Sequence, residues 1–127
     1  VNDDNQLRRP TPTELSIVLV RVLAAMEDLM GADDDPLTTV SIDASGEVYL
    51  QMRDHNFGRR LVDALIPGEV AWSGRVAARM YDENLFMHWI TAKGQLTMRR
   101  REHPVKISCV EDLTRAEAEQ LDPSIAA

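Results

Sequence analysis

Residues 11–31, TPTELSIVLVRVLAAMEDLMG, form the longest periodic segment of the chain. Thr11-Pro12-Thr13-Glu14 reads as a capping box: Thr11 accepts from the third helical amide and Glu14 reaches back to the cap amide. Pro12 falls at the first helical position, where its missing N–H costs nothing. Gly31 is the expected stop, since glycine enters the left-handed C′ conformation without a steric penalty. The helix so bounded has about 19 residues and a length of roughly 28 Å. Projected at 100° per residue, Leu15, Val18, Leu19, Val22, Met26, Leu29 and Met30 lie within about 60° of one meridian, a core-facing stripe. Ile17, Val20 and Ala24 form a narrow second apolar ridge behind it. That ridge is the expected surface for self-association, with coverage by a C-terminal segment as the plainer reading.

Working outward, Leu37–Ile42 and Glu47–Arg53 read as two strands joined by the turn Asp43-Ala44-Ser45-Gly46. Asn56 is the expected cap of a second helix, Phe57–Ile66, which Pro67-Gly68 ends. Gly58 in its first turn raises a phosphate cradle, but no second glycine or P-loop lysine accompanies it. Residues 69–81 alternate as a strand with a bulge expected at Gly74; a short helix capped by Ser73 is the alternative. Asp82-Glu83-Asn84 is the expected turn. Leu85–Ala92, LFMHWITA, has the strongest strand signal and is apolar on both sides, so it belongs in a sheet covered on both faces. Lys93-Gly94 is the expected turn after it. Residues 95–101 return, Pro104 breaks the strand, and Val105–Val110 forms the last. Thr114-Arg115-Ala116-Glu117 is a second capping box, opening a helix to about Leu121. The expectation is an α+β fold ordered α-β-β-α-β-β-β-β-α. Its sheet is an antiparallel meander packed against the long N-terminal helix and a second, shorter one.

The chain of 127 residues suits one domain over 11–122, with a disordered lead-in over 1–10 and a frayed tail over 123–127. No run of apolar residues is long enough to span a membrane. The single cysteine and an N-terminus unlike a signal peptide point to the cytoplasm. The net charge is −7, unevenly spread. Residues 1–35 hold eight acids and three bases, residues 111–127 five acids and one base, and the centre eight acids and ten bases. An acidic chain is a poor default ligand for nucleic acid, whose affinity comes mainly from neutralised phosphates.

Little in the sequence carries chemistry. His55, His88, His103 and Cys109 show no metal-ligand spacing, and Asp33-Asp34-Asp35 lacks the rest of a calcium loop. His88 and Cys109 could meet as a Cys–His pair on neighbouring strands, though a hydrogen-bonded core histidine is commoner. No nucleophile elbow, zinc-protease or dinucleotide motif occurs. No cofactor and no metal are therefore expected, and no catalysis. Lys93, Arg99, Arg100, Arg101 and Lys106 make a basic patch for phosphate or an acidic partner. Alternatively, they form a solvated edge that discourages strand pairing. His88 and Trp89 mark a candidate pocket, with Tyr49, Trp72 and Tyr81 as further aromatics. The leading expectation is a non-enzymatic protein-binding adaptor or chaperone-like homodimer. The alternatives are a nucleic-acid-binding regulator using Arg99–Arg101, or an enzyme or small-ligand sensor near His88 and Trp89.

Overall fold

In the computed structural model, which describes residues 9–32, 35–79, 82–98 and 100–126, the capped segment forms α1 (Pro12–Leu29). Thr11 accepts from the Glu14 amide at 3.2 Å, one half of the expected capping box, while the Glu14 carboxylate accepts from the Thr11 hydroxyl at 3.4 Å. Val18, Val22, Ala25 and Met26 are its buried residues. Met30 is the C-cap, extended (φ −76°, ψ 134°) with its N–H bonded to Met26 and Glu27, so the helix ends with Gly31 in the C′ position. The lead-in before Arg9, Asp33 and Asp34 of the acidic loop, Tyr81 and Arg99 lie outside the described residues.

Two strands, β1 (Leu37–Ile42) and β2 (Val48–Met52), pair antiparallel across the expected turn. In that turn Asp43 accepts from the Ser45 and Glu47 amides, and Gly46 takes φ +94°. Helix α2 (His55–Leu65) follows, capped by Asp54 rather than Asn56: Asp54 Oδ1 accepts from the Phe57 amide at 3.1 Å. The helix begins two residues earlier than expected because the His55 N–H is itself engaged by the Glu111 carboxylate at 3.1 Å. Gly58 is buried against β5, not open to a ligand. A Cβ there would lie 2.0 Å from Cys109 Sγ.

The remaining sheet consists of β3 (Trp72–Arg79), β4 (Asp82–Met98) and β5 (Arg101–Thr114), followed by α3 (Arg115–Leu121) and a 3-10 turn over Pro123–Ala126. The alternation of helices and strands is the expected one, but three strands fill the place of four. Lys93-Gly94 is not a turn: β4 runs straight through it and pairs with β5 from Leu85↔Thr114 to Met98↔Arg101. Gly94 is required for packing instead, since a Cβ there would meet Ile66 side-chain carbons at 2.7 Å. The chain reverses between Met98 and Arg101, where Arg100 has φ 65°. Pro104 stays inside β5. It lies one residue before the β2 pairing begins at Val48↔Val105, so β5 has a neighbour on one side only there, and an absent N–H is tolerated. Asp82–Asn84 belong to β4, and the irregularity in β3 falls between Ala78 and Arg79; Gly74 stays in register opposite Ile90.

The strand order is β1-β2-β5-β4-β3, and β2 runs parallel to β5. The sheet is therefore mixed, not an antiparallel meander. Turn residues specify only consecutive pairs; the β2–β5 contact depends on α2 carrying the chain over the sheet. Helices α1 and α2 share one core with Val48, Leu50, Met52, Ile90, Ala92, Leu96, Val105, Ile107 and Cys109. These alternate along β2, β4 and β5, so they define a single inner face. Each such aliphatic side chain removed from water contributes about 1.5–3 kcal/mol. Among the described residues, no helix is long and apolar enough to cross a membrane.

Candidate anion-binding face

The outer face follows from the same alternation. Tyr49, Lys106 and Lys93 stand level across β2, β5 and β4. Two residues along, Gln51, Ser108, Thr91 and Ser73 make a second row across four strands. Two further on, Val110, Trp89 and Arg75 make a third. The first and third rows are thus about 14 Å apart at the rise of an extended strand. A groove of about 420 Å³ runs over these rows. Its described lining has three cations, Arg75, Lys93 and Lys106, and no acid. It lies on a chain whose net charge is −7.

Two of the cations sit over aromatic rings. The Arg75 guanidinium lies 5.7 Å from the centre of Trp89, and Lys106 Nζ lies 5.6 Å from that of Tyr49. Such contacts hold the aliphatic stems against the rings and leave the charged heads toward solvent. Lys93 and Lys106 are direct cross-strand partners, an arrangement that costs energy between like charges. An anion placed between them would relieve that repulsion. The floor of the groove is hydroxylic: the Thr91 and Ser108 hydroxyls are 3.1 Å apart, and Ser73 Oγ donates to the Thr91 carbonyl at 3.4 Å.

The expected basic patch is divided by this geometry. Lys93 and Lys106 come together. Arg100 sits at the reversal, and Arg101 turns to the inner face, half-buried, 3.6 Å from Glu14 of α1. Arg99 lies outside the described residues. The reason is the position of the reversal. With the turn after Met98, Arg101 shares parity with His103 and Val105, which point into the core. The expected His88/Trp89 pocket is divided as well, because neighbours on a strand face opposite ways. Trp89 is on the outer face under Arg75, and His88 is on the inner side. Trp72, too, packs on the core.

His88 meets His55 edge to face, with ring centres 4.8 Å apart, and the His55 Nε2–H donates to the His88 carbonyl at 2.9 Å. His55 Nδ1 lies 3.7 Å from Glu111. These contacts tie the start of α2 to β4 and β5. Burial, then the neighbouring His55, hold the His88 imidazole below its ordinary range. Cys109 is fully buried, and burial pushes its thiol up to about 12, so it remains a thiol at neutral pH. It is not placed to act as the thiolate of a Cys–His pair. Among the described residues no group of three or more His, Cys, Asp or Glu side chains is arranged to hold a metal ion.

Sequence reasoning missed Arg75, Ser73, Thr91 and Ser108 as members of one surface. Parity within each strand was readable, but the register that brings Arg75 beside Trp89 and Tyr49 beside Lys106 was not. On the ridge of α1, Val20 is 65% exposed, Ala24 is exposed, and Ile17 is half-buried beside Met98. No protein family matches the sequence, and neither a curated protein nor a solved structure matches the chain.

Proposed function

We propose that the chain is a non-enzymatic binding module, an adaptor that acts as a homodimer and holds an anionic partner on the outer face of its sheet. One observation carries this reading: Arg75, Lys93 and Lys106 converge with Trp89 and Tyr49 on one groove whose described lining has no acid. Tyrosine, tryptophan and arginine are the residues enriched at the energetic centres of protein interfaces. The inert state of Cys109 and the structural use of His55 favour binding over catalysis. The exposed ridge of Val20 and Ala24 supports self-association through α1, on the side of the molecule away from the groove. A cytoplasmic setting is part of the proposal, in keeping with a single cysteine held as a buried free thiol.

The test is binding of two generic polyanions, a glutamate-rich peptide and a single-stranded oligothymidylate, measured at low and at physiological salt. At least one should bind, more weakly as salt rises. The Lys93→Glu/Lys106→Glu variant should lose that binding while keeping the native circular dichroism spectrum. Unchanged binding by this variant, or no binding of either probe to the native chain, would sink the proposal.

A further inference from the structure

Resting on that reading, we infer that the groove takes an extended acidic polypeptide whose carboxylates are about four residues apart, one at Arg75 and the next at the Lys93–Lys106 pair. The rows set the spacing. Arg75 is level with Trp89, and Trp89 is four residues from Lys93 on the same strand. Four residues of extended chain cover about 14 Å, the separation of the rows along the strands, and the long glutamate and lysine side chains span the sideways step of about 7 Å from β3 to the β4–β5 pair. The row between them offers the hydroxyls of Ser73 and Thr91, with buried Ser108 bonded to Thr91 beneath, and these suit the amides and carbonyls of the intervening peptide.

Nucleic acid fits less well for two reasons. A stacked base needs an open ring face, and one face of each ring here is already occupied by its own cation. Stacking on that face would displace Arg75 or Lys106 and lose the contact each makes. A carboxylate instead meets the charged heads where they stand, bidentate at the guanidinium and bridging at the lysine pair. Second, the net charge of −7 repels a long, uniformly charged polyanion more than a short segment with two or three acids.

The experiment uses the full chain and labelled peptides of about nine residues, in which glutamates fall at every fourth position of a Gly/Ser background. The controls are a peptide with the same glutamates adjacent and an oligothymidylate of equal charge. The spaced peptide should bind about tenfold more tightly than either control, the equivalent of one well-placed charged contact. Arg75→Gln should abolish the preference for spaced over adjacent glutamates while leaving the weaker binding of both. Three results would overturn the inference. Equal binding of the spaced and adjacent peptides would remove the geometry. Tighter binding of the oligothymidylate would make the occupant a nucleic acid and leave the broader anion-binding reading intact. Salt-sensitive self-association that is lost in Lys93→Glu/Lys106→Glu would make the occupant a second copy. Failure of all probes would instead remove the broader reading itself.

Discussion

Gly58 illustrates how one missing methyl group sets a packing distance. It is buried in α2 directly above Cys109, and an added Cβ would stand 2.0 Å from the sulfur. Alanine at an ordinary helical position is favoured over glycine by about 1 kcal/mol. Here overpacking reverses the sign, so Gly58→Ala should destabilise by about 1–3 kcal/mol in urea denaturation. The same Cβ is 3.5 Å from Cys109 Cβ, an ordinary contact. Adding Cys109→Ala should therefore return much of the loss, whereas additive losses in the double variant would refute the account.

His103 makes a second case at this scale. It is buried beside Gly46, with burial first and Arg101 second holding its imidazole below the ordinary 6.5. The folded state thus resists a proton that the unfolded chain accepts near 6.5. Above that pH neither state gains one, and the stability is whole. As the pH falls below 6.5, the unfolded state protonates first and stability declines until the folded imidazole titrates too. His88, shifted the same way, adds to the slope. Melting temperature should drop between pH 7 and about 5, before most carboxylates titrate, and His103→Gln should flatten that drop.

At the scale of elements, local signals were legible wherever one residue type has one use. Thr11, Pro12 and Glu14 marked the start of α1, Thr114 and Glu117 that of α3, and Asp43 to Gly46 the first hairpin. Both ends of the capping box at α3 are formed, with Thr114 and Glu117 exchanging hydrogen bonds at 3.1 and 3.2 Å. Signals with two uses misled. Gly94 resembles a turn but exists to pass under Ile66, and Pro104 resembles a strand end but sits at a half-open position. At α2, Asp54 and Asn56 are both good caps, and the choice was made by Glu111, fifty-six residues away from His55. Asp54→Ala should cost about 1 kcal/mol by chemical denaturation. Asn56→Ala, on an exposed site inside the helix, should be close to neutral. Equal costs for the two would contradict the assignment of the cap.

The candidate groove was the least legible feature because it spans four strands. Each contributes only one to three residues, and no window of sequence contains Tyr49, Arg75, Trp89 and Lys106 together. The basic run Arg99–Arg101 was the visible signal, yet among its described members only Arg100 stays at the surface tip, while Arg101 faces α1. Alternation assigns each residue to one of two faces. It does not say which strands stand side by side, and that information resides in the β2–β5 pair.

For the molecule as a whole, the proposed function gives the two faces of the sheet separate work. Helices α1 and α2 cover the inner one, and α1 turns its own back, with Val20 and Ala24, to the outside. On the proposed self-association through α1, the native chain should be a dimer at micromolar concentration in light scattering and Val20→Glu a monomer, without loss of thermal stability, because the side chain is 65% exposed in the single chain. A dimer that persists in this variant would place self-association elsewhere.

The central position of β5 has a consequence for synthesis. A ribosome makes α1, β1, β2 and α2 first, yet the strand that β2 and both helices pack on is Arg101–Thr114. Until that strand emerges, Val18, Val22, Leu50 and Leu61 have no finished core to enter, and one long edge of β2 has no neighbour. The growing chain must therefore carry these apolar surfaces unassembled until residue 114 has emerged, an interval in which exposed edges invite aggregation. Slowing elongation before residue 101 should lengthen that exposure and raise the demand for chaperones.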